Sequence, residues 1–222
     1  MASTPIIPLD TEQGQQMLKE VLDNGWPDQP WVRRLYAKQI GRSNCGIQSC
    51  AIIMSAGVLG KKVKNCPESL EGVDVPFKEK QMFDFEATTK VADAAKVDKD
   101  GLTFEQVANI LHNHEYGIEE VYASSSAVDE FRERVIEALS HKDSEKTVIV
   151  NYLMSYFGHP FTYGHHSPLA AYHKDSDSFL LMDVWPATPV CWAKTEDLFK
   201  AMDTIDSDSN KCRGFLIVTY LS

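Results

Sequence analysis

Along the chain the apolar positions change period near residue 146, recurring at helical spacing before it and at strand spacing after it. Residues 11–23 read as an amphipathic helix that Asn24-Gly25 closes, and a connector bearing Pro and Trp follows at 26–31. Residues 46–58, GIQSCAIIMSAGV, are almost all apolar, which suits a helix buried on every side. From Cys66 to Val97 the pattern weakens into mixed charge and prolines, predicting loops and short helices. Residues 103–113 carry a Thr103/Gln106 capping box ahead of Phe104, Val107 and Leu111, and 126–140 form a further amphipathic helix. Beyond it, 148–153, 167–173, 178–185 and 214–221 read as strands, with a helix over 195–205 before the last. Helices first and antiparallel strands later predict an α+β fold in one domain, a helical lobe over about 1–146 followed by a sheet lobe over 147–222.

Composition narrows the function classes. The 222 residues suffice for one well-packed core, and 43% hydrophobic with 24% charged residues is the range of soluble globular chains. A net charge of −10 argues against nucleic acid or an anionic membrane as partner. No run approaches the roughly 20 apolar residues of a membrane span, and the first residues lack the basic and apolar regions of a signal peptide, so a cytoplasmic protein is expected. The cysteines Cys45, Cys50, Cys66, Cys191 and Cys212 are odd in number and contain no C-x-x-C pair. That argues against a disulfide framework, a structural zinc site and a Cys-rich C-terminal domain within this sequence.

One cysteine has a setting suited to chemistry. Cys45, in Arg42-Ser43-Asn44-Cys45-Gly46, stands at the head of the apolar helix. There the unpaired N–H groups and the positive end of the helix dipole favour thiolate, and Gly46 leaves room for close approach of a substrate. The competing reading is a helix-start cysteine that only packs. Cys50 lies within the apolar helix and reads as core, and Cys191 sits in an apolar patch before Trp192.

A nucleophilic thiolate needs a base. His112 and His114 close a predicted helix, His141 follows another, and His159 precedes a proline with no further signal. His165 and His166 open a strand whose hairpin partner carries Asp183, a carboxylate interrupting the hydrophobic run SFLLMDVW. Burying that charge is costly unless it is paired, and an imidazole is the simplest partner. Strand parity depends on the turn near 174–178: an odd-length loop puts His165 on the face of Asp183, an even-length loop His166. Gln39, in the loop ahead of Cys45, is an oxyanion candidate.

Taken together, Asn44-Cys45-Gly46, GHHSPLAAY at 164–172, LLMDV at 180–184 and AMDTIDSDSNKCRGFLIV at 201–218 resemble the catalytic domain of phytochelatin synthases. The family's spacings of six between Gln and Cys, and eighteen between His and Asp, are met by Gln39/Cys45 and His165/Asp183. The resemblance implies a papain-like cysteine acyltransferase, with Cys45 as nucleophile, His165 as base, Asp183 orienting it, and Gln39 in the oxyanion hole. Asn44, Gly46, Gly164 and His166 are the implied substrate contacts. It further implies a γ-glutamylcysteinyl thioester formed from glutathione with release of glycine, then passed to a glutathione amine or to water. No tightly bound cofactor and no protein-held metal are implied; cadmium or zinc enters as a thiolate complex of the substrate. The implied partner is a small thiol peptide, glutathione or a related amide, with a homodimer left open. Two arginine positions of the family hold Pro186 and Met154 here. That departure keeps open an amide-forming or amide-cleaving enzyme of the same chemistry on a different substrate, ahead of a non-catalytic thiol- or metal-binding protein.

Overall fold

A computed structural model describes residues 6–63, 66–140 and 145–220. Helix α1 (Glu12–Asn24) begins at Thr11, whose hydroxyl accepts from the Gly14 N–H, and ends at Gly25, whose φ of +62° closes the last turn in the left-handed region. Helix α2 (Pro30–Leu35) lies largely beyond the predicted connector, with proline at its first position, where the missing N–H costs nothing. Helix α3 (Cys45–Lys62) buries nearly its whole first three turns. The predicted irregular stretch contains α4 (Glu86–Thr89) and α5 (Ala94–Asp100). Helix α6 (Phe104–Asn113) forms both bonds of the predicted capping box, and α7 (Val128–Leu139) and α8 (Thr195–Met202) complete the helices described.

The strands are β1 (Ile7–Pro8), β2 (Gly117–Tyr122), β3 (Lys146–Leu153), β4 (Gly164–His173), β5 (Ser178–Leu181), β6 (Cys191–Lys194), β7 (Ile205–Asp206), β8 (Lys211–Cys212) and β9 (Gly214–Thr219). Seven form an antiparallel sheet in the order β1-β6-β5-β4-β3-β9-β2, while β7 and β8 make a separate hairpin. The fold is α+β, and the sheet draws strands from both sides of residue 146. Alternation along β3 divides the core. Val148, Val150 and Tyr152 pack on α7 and α8, whereas Ile149 joins α3 and α6 on the other face. Among the described residues no helix is long and apolar enough to cross a membrane.

Two differences from the predicted strands decide the geometry of the site. The run predicted as a strand over 178–185 leaves the sheet after Leu181, because the Asp183 carboxylate accepts the Trp185 N–H at 2.8 Å and turns the chain. Between β4 and β5, His173 pairs with Ser178, so the loop holds four residues, an even number. That parity alone puts His166 on the Asp183 face. A bulge between Leu169 and Ala171 reverses it, leaving Ala170 and Ala171 both against the α1–α3 cluster. Beyond the bulge His165, and not His166, faces Asp183.

Candidate active site

Cys45 is the first residue of α3, and its preceding residue does not cap the helix in the usual way. An asparagine at the N-cap normally turns its side chain onto the first-turn N–H groups. Asn44 makes no such bond; its Nδ2 donates instead to Oε1 of buried Glu79 at 2.7 Å. The Glu79 carboxylate also accepts the N–H groups of Ile40 at 2.6 Å and Gly41 at 2.8 Å. One carboxyl group thus folds the loop ahead of the cysteine and draws the Asn44 side chain away from the cap. Gly41 is required by this packing, since a Cβ there would lie 2.3 Å from the Asn44 amide.

On the other side of the sulfur, Asp183 is fully buried and fully bonded. Its Oδ1 accepts from His165 Nε2 at 3.0 Å and the Trp185 N–H, and its Oδ2 from Tyr152 Oη at 2.8 Å and His159 Nε2 at 3.0 Å. With Nε2 committed to the carboxylate, Nδ1 is the nitrogen of His165 left free to act on Cys45, whose thiol the ring influences. Burial works to raise the Asp183 pKa, but the positive charge of His165 and the bonds from both histidines hold it well below the usual carboxylate range. Burial likewise opposes charge on Cys45, yet His165 first, and His166 after it, pull the thiol well below its ordinary pKa. His165 is raised in turn: burial disfavours its cation, and Asp183 and the Cys45 thiolate outweigh that cost. The directions of these shifts favour a thiolate on Cys45 beside an imidazolium on His165, the form a cysteine nucleophile takes.

The pair opens on a cleft of about 1050 Å³ whose walls include Gln39, Cys45, Asn151, Met154, Gly164, His165 and Trp185. Gln39 borders it, with both hydrogens of its amide engaged, Nε2 donating to the carbonyls of Gly41 at 2.9 Å and Arg42 at 3.1 Å. Its Oε1 has no partner. Of the four implied substrate contacts only Gly164 lines the cleft, and a Cβ there would meet the Arg213 guanidinium at 2.9 Å. Asn44 is tied to Glu79 through Nδ2, while its Oδ1 has no partner. Beside Gly46 lie Val107, 2.8 Å from an added Cβ, and Leu102, so this glycine allows close packing of α3. His166 lies behind the sulfur, its Nδ1 3.8 Å from Sγ. Behind Gly164, buried Arg213 bonds Thr204, the Ile205 carbonyl and, at 3.3 Å, Asp206, while its Nε is unpartnered. Of the two substituted arginine positions, Met154 lines the cleft wall and Pro186 is exposed.

The family model for phytochelatin synthase matches residues 2–215. The chain belongs to the phytochelatin synthase family. Its α+β architecture is the papain-like fold expected of that family. It is 25% identical to "Glutathione gamma-glutamylcysteinyltransferase 1" of Lotus japonicus over 99% of this chain and 41% of the relative. The corresponding values are 27%, 100% and 44% for the enzyme numbered 3 of the same plant, and 26%, 99% and 43% for that numbered 1 of Arabidopsis thaliana. The chain therefore spans about two fifths of the length of these relatives.

Several residues of the site carried no readable signal in the sequence. Glu79 sits in the stretch of weak periodicity, and nothing near it distinguishes it from its exposed neighbours. His159 follows a glycine in a loop, yet it is buried against Asp183 and Thr188. His112, His114 and His173 fall outside the cleft: His112 is exposed, His114 bonds Thr88 and packs on Phe85, and His173 bonds Glu20. His141 lies outside the described residues. Cys50 and Cys191 are buried, and burial pushes both thiols up, away from reactivity. Among the described residues no group of three or more His, Cys, Asp or Glu side chains is placed to hold a metal ion.

Proposed function

We propose that the chain is a cysteine-dependent acyltransferase that takes the γ-glutamylcysteinyl group from glutathione. The observation that carries the reading is that Cys45 and His165 line one cleft, with Asp183 bonded to the imidazole Nε2 at 3.0 Å. The Cys45 thiolate attacks the carbonyl carbon of the Cys–Gly bond. The oxyanion that forms lies near the start of α3, where the N–H groups and the helix dipole favour negative charge. Gln39 contributes there only if its amide releases a loop carbonyl. His165 gives its proton to the departing glycine amine and then accepts one from the incoming nucleophile, a glutathione amine or water, and the thioester breaks to regenerate Cys45. Asp183 holds the imidazole in place and remains ionised throughout.

Recognition of the substrate carboxylates rests on the cations near the cleft. With Met154 and Pro186 at the family's arginine positions, Arg213 is the buried guanidinium left beside Gly164, and its unpartnered Nε marks unused donor capacity. Cadmium or zinc, where present, arrives bound to the glutathione thiol and is substrate. Incubation with glutathione, with and without cadmium, tests the reading by mass spectrometry. Glycine, γ-glutamylcysteine and a protein mass raised by the acyl group are expected, and all three are lost in Cys45→Ala. Absence of acylated protein and of products from the native chain overturns it.

One observation favours a second reading with the same chemistry on a different amide. Phe161 and Tyr163 stack at 6.0 Å on the lip of the cleft, and Phe161 meets Trp185 edge-on at 5.6 Å. With Met154 these rings make an apolar wall where the family carries positive charge, a surface suited to an apolar amide substituent. Acylation by an apolar γ-glutamyl or aminoacyl amide, with none by glutathione, decides for this reading.

A further inference from the structure

The sulfur of Cys45 is touched by two imidazoles, and only one belongs to the chain of groups ending at Asp183. His166 and Asn151 are directly opposed in the β3–β4 register, on the face of the sheet that packs against α3. Both are buried, His166 to 1% exposure and Asn151 to 4%. Asn151 Nδ2 lies 2.7 Å from His166 Nε2, and His166 Nδ1 lies 3.8 Å from Cys45 Sγ. The His166 carbonyl also accepts the Ser49 hydroxyl at 3.1 Å, which ties this point of β4 to the first turns of α3.

We propose that His166, oriented by Asn151, is a second functional imidazole of the site, donating its Nδ1–H to the Cys45 thiolate from the buried side. The hydrogen-bond inventory supports it. An amide nitrogen only donates, so a His166 ring bonded to Asn151 Nδ2 presents Nε2 as acceptor and carries its proton on Nδ1. That N–H points at the sulfur. A neutral imidazole in this tautomer satisfies both contacts without adding a buried charge, which the interior would penalise. The labour is thereby divided: His165 carries the mobile proton on the cleft side, and His166 holds the thiolate in a fixed position and lowers its basicity. The titratable groups that act on Cys45 are His165, His166 and, one turn along α3, Cys50; the first two favour the thiolate, and Cys50 stays neutral. A histidine satisfied for structure alone needs no nitrogen on the nucleophile.

The proposal rests on Cys45 being the nucleophile, and its test needs no substrate. The pH dependence of Cys45 alkylation by iodoacetamide, read at that residue by peptide mass spectrometry, gives the midpoint of thiolate formation. In His166→Phe the midpoint is expected to rise by about one pH unit, the size of one hydrogen bond to a charged group. Asn151→Ala, which keeps the ring but frees its tautomer, is expected to raise it in the same direction by less. In His166→Asn an amide N–H falls near the position of the lost Nδ1–H, and the low midpoint is expected to return. A low native midpoint unchanged in folded His166→Phe overturns this inference alone. Where His166→Phe does not fold, an unchanged midpoint in Asn151→Ala does so. A native midpoint at the ordinary thiol value overturns both this inference and the nucleophile reading.

Discussion

The two sides of Cys45 are built in opposite ways. Toward Asp183 every polar group is committed: one carboxylate collects bonds from two histidines, a tyrosine and a backbone N–H, all at 2.8–3.0 Å. Toward the Gln39–Asn44 loop the hydrogen bonds are incomplete, and Gln39 Oε1 and Asn44 Oδ1 are buried without partners. A buried acceptor left unbonded costs free energy, and a fold tolerates few such atoms. The contrast separates two tasks. A base is served by being held rigidly in one tautomer before substrate arrives, whereas the loop keeps two amide oxygens as unused acceptors for a donor group of a ligand. If this division is right, damage to the Asp183 side lowers the chemical rate, and damage to the loop side lowers stability and substrate binding first.

The largest effect is expected at the fully bonded side. Asp183→Asn keeps the shape but cannot accept from both histidines, and it presents an N–H where His165 needs an acceptor. A loss of acylation rate on the order of 10⁴-fold is expected in single-turnover measurements with glutathione, as for the loss of the orienting carboxylate in other triads. A fall of less than about tenfold breaks the comparison, since the carboxylate is then not controlling the base.

Next comes the loop. Glu79→Gln removes the charge that accepts Ile40, Gly41 and Asn44, and its amide can satisfy only part of that set. A destabilisation of about 2 kcal/mol is expected for leaving buried partners of this set unbonded. For a chain of this size that is a fall in Tm of about 4–8 °C by calorimetry. A freed Asn44 side chain can then cap α3 and compete for the N–H groups beside Cys45, so KM rises as well. An unchanged Tm removes Glu79 from the account of the loop.

How much of this is legible in the sequence depends on the range of the interaction. Cys45 could be found because its signal is local, an apolar helix starting at a cysteine. Asp183 could be found because a charge inside a hydrophobic run demands a partner. The choice between His165 and His166 was not decided by local reasoning: a loop of odd length was needed for His165, the loop is even, and the bulge beside Ala170 restores the pairing. The bulge adds one residue to β4 just beyond Pro168, a residue that disturbs a strand without fixing where the extra residue falls, so counting parity from the turn could not reveal it. Family resemblance did settle the residue. Glu79 and His159 were invisible because each meets its partners only across long separations in the chain, in segments with no period to read. The short strands β2 and β6 escaped for a related reason: β2 exposes two adjacent glutamates, and β6 is only four residues long.

The pH profile sharpens the comparison with a smaller effect. The reactive pair requires Cys45 ionised and His165 protonated. Acylation is therefore expected to rise as pH climbs through a Cys45 pKa well below the ordinary thiol value, to stay level, and to fall as pH climbs through the raised His165 pKa of about 10. Asp183 is a main source of that raised value, so in Asp183→Asn the alkaline limb moves to lower pH while Glu79→Gln leaves it in place. Equal movement in both variants means the two sides are not independent.

The smallest effect tests how far the bonding of Asp183 exceeds what catalysis needs. His159→Ala removes one of four donors to the carboxylate and leaves His165, Tyr152 and the Trp185 N–H in place. Asp183 stays ionised, since the neighbouring His165 charge is the largest influence opposing its burial. One hydrogen bond of this kind is worth about 1.4 kcal/mol, so the rate should fall by no more than about tenfold. His159→Gln, whose Nε2 can donate near the same point, should recover most of it. A loss in His159→Ala as deep as that of Asp183→Asn would instead make His159 a second orienting partner of the base, and the rigid side of the site would then be a relay of two histidines through one carboxylate.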